Sequence, residues 1–468
     1  MNEKRLPGFP YPYFSNSGKV CFWILAAGIT VLLPILLARL HFPWISNTYG
    51  DSLVSFELFG LTGSIFLIIL ALWRLRGVKT IIDASQALLP VLTLFLFLTI
   101  IPELSITGFS WDFQCYFKAT NALLLGNDLY TKCYIYPPLV AQILSQVYLA
   151  NQEGLKLLGR SDPQATWGLV FYFFQTSQFF LLIGLILLCE RLGRKWGLSP
   201  TIAAIVSSAV LIFNNPLFRT LRHQQINLWV LDLILVVILI INRSPFLSGL
   251  LLAIAGHLKL YSLLMLIPII LQKRWKVLLG IVMGLIGIGI LAPLKVWDSF
   301  WHNLTNFPTF DGLFRNNSLR NLVASLLDLL GLEQNWLING LVIILSLVIL
   351  FWFGQRYIKR EYLGGEKNVR LTAHLIDAIA FSLLFSPLLW EHHFVFAIPL
   401  VIWSLASSVS FGNALEGKKI DRQVILIGLS IFLMLVLPTF DVFILSYHRI
   451  VGLILWIWIT QPGWNNKS

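Results

Sequence analysis

Charge is the scarcest property of this sequence. Asp, Glu, Lys and Arg make up 12% of its 468 residues, against 57% hydrophobic residues, whereas a soluble domain carries roughly 25% charged residues. That scarcity excludes a water-soluble core, because no such core buries so many apolar runs of about 20 residues, and each run as a helix matches a bilayer's ~30 Å hydrocarbon layer. Also missing are an Asp-x-Asp motif of the kind that holds a divalent ion on a nucleotide sugar, a His pair at the i, i+4 spacing of a zinc helix, and any soluble nucleic-acid module. We therefore expect no metal, no cofactor and no nucleic-acid partner. The net charge of +12 reads instead as topology and contact with membrane lipids. Cysteine is sparse. Cys21 and Cys189 lie in apolar runs, while Cys115 and Cys133 flank one polar loop, where a disulfide is open to them but two ordinary thiols are the preferred reading.

What is present is a series of apolar runs near 20–40, 53–73, 84–101, 167–189, 200–213, 225–241, 246–256, 260–271, 277–293, 336–353, 373–389, 394–411, 424–438 and 443–459. They predict an all-α integral membrane protein, a polytopic bundle of roughly 12 to 14 transmembrane segments in one domain over residues 1–468. Val20–Leu40 is longer than a signal-peptide core and reads as a retained helix. The runs 246–256 and 260–271 are each too short to cross alone, so they form either a hairpin with its tip at Gly256–Lys259 or one broken helix.

Placing the N-terminus in the cytoplasm puts most of the 34 Lys and Arg residues inside, with the long loops 102–166 and 294–335 outside. The predicted location is a cell membrane, multi-pass, with the working face on the periplasmic or extracytoplasmic side. On that face the uncommon side chains collect: Asp112, Tyr136, Arg219, Arg222, Gln225, His257, Lys259, Arg315, Asn317, Glu391, His392 and His393. Ionisable groups from distant segments converging on one face are what a catalytic site needs. Gln114–Leu125 predicts a helix along the membrane interface, Gly126–Asp128 a turn, and Leu139–Ala150 a new helix after Tyr136-Pro137-Pro138.

Five stretches also carry a resemblance. WDFQCYFKATNALLLGNDLY with YPPL, then RHQQINLWVLDLIL, GLLLAIAGHLKLYSLLMLIPIILQKRW, RNNSLRNLV and FSPLLWEHHFVFAIPL, are similar in order to the loop motifs of glycosyltransferase family 87, the polyprenyl-phosphate-mannose-dependent mannosyltransferases. The chain departs from that pattern at Gln224, where the family usually has Gly; at Ser262, where it has Pro; and at Asn317, where it has Gln.

The resemblance implies a GT-C fold with re-entrant or interfacial helices in the outer loops. It also implies a polyprenyl-phosphate sugar donor, mannose above all, and an acceptor that is lipid-linked or an envelope glycan. Asp112, between Trp111 and Phe113, is the expected base, with desolvation raising its basicity. Lys259, Arg222, Arg315 and His257 are candidates for the donor phosphate, since cationic donors neutralise a departing phosphate. Lys259 reads equally as a snorkelling cation, and Arg219 reads better as a lipid-headgroup contact.

His392 and His393 join Asp112 as catalytic candidates; adjacent on a helix end, they point apart and suit hydrogen bonding better than metal ligation. Tyr136, Gln225, Asn227, Tyr261, Asn317, Trp390 and Glu391 are candidates for holding substrate. The rival readings are a polytopic transporter or flippase and a non-catalytic scaffold. Transport needs ionisable groups near the bilayer midplane, and there Asp232 and Asp377 are the main acidic residues, neither with a basic partner in its own helix.

Overall fold

The computed structural model describes residues 109–462 except 131–132, 161, 307–315, 333, 409–421, 441–442 and 444. The three predicted spans before residue 102 and Arg315 lie outside these residues. Among the described residues the chain is helical throughout, and the single pairing of extended backbone is an isolated antiparallel bridge between Asn316 and Trp390.

The order runs α1 (Trp111–Leu124), α2 (Leu139–Leu157), α3 (Pro163–Lys195), α4 (Pro200–Ile212), α5 (Asn215–Arg222), α6 (Asn227–Ile240) and α7 (Pro245–Leu258). A 3-10 segment (Leu260–Met265) leads into α8 (Leu266–Leu271), followed by α9 (Trp275–Gly289), α10 (Leu294–Thr305), α11 (Leu319–Leu329), α12 (Asn335–Leu363) and α13 (Lys367–Phe385). A second 3-10 segment (Glu391–Ala397) precedes α14 (Ile398–Ser407), then α15 (Arg422–Ile431) and α16 (His448–Ile459).

The predicted span count meets a more uneven reality. Three described helices, α3, α12 and α13, are long and apolar enough to cross a membrane alone, or five spans if α4–α5 and α9–α10, bent by 56° and 106°, each count as one. The predicted runs at 225–241, 246–256, 260–271, 424–438 and 443–459 appear as apolar helices of 10–17 residues, below the ~20 residues that span a bilayer unaided. The first two and the last of these, α6, α7 and α16, are packed on several sides by neighbours. The faces of α9 and α12 carry exposed Leu279, Val282, Met283, Ile286, Ile343, Leu347, Val348 and Phe351. Apolar surface on that scale suits hydrocarbon rather than water.

Two close approaches fix the middle of the bundle. A Cβ on Gly249 of α7 would lie 2.1 Å from the Val277 carbonyl oxygen, and one on Gly280 of α9 would lie 2.1 Å from that of Phe246. These helices therefore touch backbone to backbone, the small-residue packing that membrane helices use in place of hydrophobic drive. α7 then stops at Lys259, whose backbone is extended (φ −149°, ψ 118°). The 3-10 segment folds back onto α7, with Leu263 against Gly256. Of the two alternatives for 246–271, the hairpin is the one present, and Lys259 sits at its tip.

The loop around Asp112 follows the predicted grammar. Ser110 caps α1, its Oγ accepting from the Phe113 N–H at 3.2 Å. The helix ends before Gly126 at φ +71°, and α2 starts after Pro138. Phe113 turns inward, its ring 4.9 Å from Phe171 and 5.1 Å from Phe174 of α3. Trp111 turns out, 64% exposed, so it does not shield Asp112.

Cys115 and Cys133 are joined, with Cα atoms 5.4 Å apart. The expectation of two free thiols is therefore corrected: α1 and the segment before Tyr134 pack side by side, a proximity that a separation of 18 residues does not disclose.

Candidate active site

Four chain-distant pieces converge at one end of the bundle: the first turn of α1, the turn between α5 and α6, the hairpin tip after α7, and the 3-10 segment after α13. Lys259, 3% exposed, donates to Asn227 Oδ1 at 2.5 Å and meets His393 Nε2 at 3.2 Å. Its ammonium also stands 5.1 Å above the Tyr136 ring and 5.7 Å from that of Tyr261, within cation–π range. Asn227 in turn donates to Thr220 Oγ1 at 3.2 Å and to the His392 carbonyl at 3.1 Å. The rings of His392 and His393 are 4.6 Å apart and nearly perpendicular.

Asp112 joins this cluster through Gln225. The Gln225 side chain lies close enough to the carboxyl to favour its ionised form, while its Oε1 accepts from the Tyr136 hydroxyl at 2.9 Å and the Tyr116 hydroxyl at 3.3 Å. Gln178 of α3 donates to the Gln225 carbonyl at 3.0 Å, which secures the residue from behind. On its other side, Asp112 Oδ2 lies 4.0 Å from His223 Nδ1. No carboxylate lies within ion-pair distance of Lys259 among the described residues.

Burial sets the protonation. It pushes the Asp112 carboxyl up to about 6, against the lowering effects of Gln225 and of Lys259. It pulls Lys259 down to about 7, with Asp112 opposing. His392 and His393 are held well below the usual imidazole range by burial and then by neighbouring positive charge, Lys259 included. Both rings are thus neutral near pH 7, and a neutral His393 can accept from Lys259 through Nε2 if its proton is on Nδ1. His392 Nε2 and the Tyr261 hydroxyl are buried without a hydrogen-bond partner among the described residues. Buried polar atoms of this kind are normally satisfied, so these two are available to a ligand.

The remaining candidates divide. Asn317 is fully buried, its N–H donating to the Leu389 carbonyl at 2.6 Å. Trp390 bridges Asn316 beside it, so these residues tie the 316–318 stretch to the His392 segment. Glu391 is not open to a sugar: it forms a buried ion pair with Arg219 at 2.8 Å and accepts a short bond from Thr439. Arg219 is accordingly an internal partner of Glu391 rather than a surface contact for lipid. His257 bonds the Leu285 carbonyl of α9 at 3.1 Å and packs edge-on against Trp297, facing α9 and not joined to the Lys259 cluster by any contact. Arg222 ends α5, half-buried, next to His223.

No site role was assigned from the sequence to Tyr116, Thr220, His223 or Gln224, although His223 and Gln224 stand in the Arg222–Gln225 stretch of the outer face. Tyr116 was legible in principle, one helical turn after Asp112 and therefore on its face. Gln224 carries φ +52°, a left-handed conformation that favours glycine. The departure at the Gly-Gln-x-Asn element was the visible signal of it.

Comparison with known proteins gives the chain a family. The model for glycosyltransferase family 87 matches residues 134–387, a stretch that contains Tyr136, Gln225, Asn227 and Lys259 and leaves out Asp112, 22 residues before its start, and His392, five residues past its end. The chain is 24% identical over 204 residues to the polyprenol-phosphate-mannose-dependent alpha-(1-2)-phosphatidylinositol mannoside mannosyltransferase of Mycolicibacterium smegmatis, covering 43% of this chain and 46% of that protein. It is 24% identical over 295 residues to the corresponding pentamannoside mannosyltransferase of the same organism, covering 61% of this chain and 64% of that protein. The Mycobacterium tuberculosis pentamannoside enzyme gives 24% over 277 residues, 58% of each chain. The chain thus spans about half to under two thirds of the length of these relatives. No solved structure matches it. With more than half of its length matched by the family model, the chain belongs to glycosyltransferase family 87.

Proposed function

We propose that the protein moves a single sugar, mannose or a close relative, from a polyprenyl-phosphate donor to a lipid-linked or envelope-glycan acceptor, with inversion, at the non-cytoplasmic face of the membrane. The observation that carries this reading is a carboxyl near pKa 6 and an ammonium near 7 in one cluster, spaced by Gln225 and Tyr136 rather than joined as an ion pair. A direct ion pair would neutralise both and leave nothing for a substrate.

In this scheme Asp112 takes the proton of the acceptor hydroxyl. The hydroxyl oxygen bonds to the anomeric carbon as the bond from that carbon to the phosphate oxygen breaks, leaving its electron pair on the phosphate. Lys259 meets the charge that builds there, and His392 Nε2, as the protonated tautomer, donates to it. Tyr136 and Tyr261 offer ring faces to the sugar. The donor class comes from what the relatives' names state, and the mobile tail of such a donor would lie in the apolar surround.

Two further observations favour this reading over its rivals. The Cys115–Cys133 bond suits an oxidising, non-cytoplasmic side, where such bonds persist. Asp377, one of the two acids a transporter reading would call on, is bound to Arg356 and Arg360 at 2.6 and 3.0 Å, so its charge is already compensated within the fold. The test is direct: purified protein in nanodiscs, given labelled polyprenyl-phosphate mannose and a lipid extract, transfers label to an organic-soluble acceptor. Folded protein that neither transfers nor hydrolyses any such donor sinks the proposal.

A further inference from the structure

The turn between α5 and α6 aims three consecutive residues at one target. The His223 carbonyl accepts from Ser110 Oγ at 2.6 Å, the Gln224 Oε1 accepts from the Ser110 N–H at 2.8 Å, and the Gln225 side chain lies near the Asp112 carboxyl. Ser110 is the cap of α1, and Asp112 sits in that helix's first turn. Successive residues of a helix point about 100° apart, so the three groups would splay if the chain ran straight from α5 into α6. The left-handed Gln224, φ +52° and 1% exposed, is what turns them the same way. Only one other non-glycine residue among those described shares that conformation, Lys273, and it lies in the short turn after α8, far from this cluster in sequence. A buried, strained glutamine retained where glycine would fit without strain indicates that its side chain is needed.

We infer that Gln224 is a positioning residue for the catalytic carboxylate: through the Ser110 N–H it fixes the N-terminus of α1, and with it the placement of Asp112 relative to Lys259 and the acceptor hydroxyl. It touches no reacting atom. Four side chains face Asp112 from other elements, Gln225 and His223 from the turn, Lys259 from the hairpin tip and Tyr136 from the loop before α2, with Tyr116 on its own helix, and Gln224 sets the distance of α1 from the four. The inference rests on the reading of Asp112 as the base.

Gln224→Gly removes the amide and keeps the backbone conformation, and Gln224→Met removes the acceptor while keeping the bulk. Both are expected to lower kcat about tenfold with the donor KM unchanged within twofold. Both should also shift the acid limb of the kcat–pH profile downward, as water reaches a loosened Asp112 and its pKa falls toward the usual carboxylate value. Gln224→Glu retains an acceptor oxygen for Ser110 and should keep kcat within about threefold. Should the methionine variant not fold, the glycine variant, which relieves strain, still decides the matter.

Wild-type kcat and pH profile in Gln224→Gly, alongside an inactive Asp112→Asn, would overturn the positioning role while leaving the base assignment standing. An equal loss of kcat and thermal stability with an unmoved pH profile would overturn it as well, since that is the mark of a merely structural residue. Full transfer by Asp112→Asn would instead remove the reading beneath it.

Discussion

Two of the buried charged clusters among the described residues, each holding a carboxylate, a cation and a histidine, are finished differently. Between α12, α13 and α16, Asp377 is gripped by Arg356 at 2.6 Å and Arg360 at 3.0 Å, and Arg356 also donates to the Ile457 carbonyl. Close by, Glu361 meets His374 at 2.8 Å and Arg370 at 3.6 Å. In that cluster each acid has found its base. In the Asp112 cluster the acid and the ammonium are kept apart, with an amide and a phenol between them. Charges that compensate one another hold helices together. Charges held separate in a buried place cost stability unless something arrives to complete them, and that cost is what a site for a charged transition state carries.

Breaking the comparison at its sharpest point means removing the acid of each cluster. Asp112→Asn is expected to cut transfer by about 10³-fold, within the range of a lost general base, with the thermal midpoint unchanged or raised. Radiolabel transfer in nanodiscs and a thermal melt report both. Lys259→Met should follow at about 10²-fold in kcat, comparable to losing one donor to a developing oxyanion, again with the fold retained. Asp377→Asn belongs to the other kind: it leaves two arginines facing each other in a buried place and should cost about 3 kcal/mol or more of stability, while turnover per folded molecule stays at the wild-type value. If Asp377→Asn lost turnover and kept its melting temperature, the two clusters would not differ in the way described.

Much of this was legible in the chain, and the parts that were not have a common cause. Long apolar runs disclosed helices because their signal is local, and Gly126 and Pro138 disclosed where α1 ends and α2 begins, whereas α1 starts at Trp111 rather than Gln114 and α2 runs on to Leu157 rather than Ala150. Lys259 at a hairpin tip was one of the two readings that two apolar runs of half length left open. The pairing of side chains did not follow. Glu391 sits among residues that face the cluster, so it read as a substrate ligand, but its partner Arg219 lies 172 positions earlier and only the packing of α5 against the 3-10 segment makes them meet. The Cys115–Cys133 bond and the turn of His257 toward α9 were hidden in the same way. So was the number of helices that cross a bilayer unaided, because a short apolar helix is explained by what surrounds it and not by its own composition.

The gentlest probe of the difference is pH, and its sign follows from the two shifts. The proposed chemistry needs Asp112 ionised, so kcat should rise as pH climbs through about 6, and it needs Lys259 protonated, so kcat should fall as pH climbs through about 7. The productive combination is then most populated near pH 6.5 and drops roughly sixfold at 1.5 pH units to either side, a narrow bell. His392 and His393, held neutral below this range, contribute no limb of their own. Lys259→Arg separates the two limbs, because a guanidinium keeps its charge throughout: the alkaline limb should vanish while the acid limb stays, at whatever reduced rate the bulkier cation allows. Since each charge favours the other, the acid limb should also move upward in Lys259→Met, where the attraction that helps ionise Asp112 is gone. An alkaline limb that persists in Lys259→Arg would show that some group other than Lys259 titrates there, and the separated pair would no longer account for the profile.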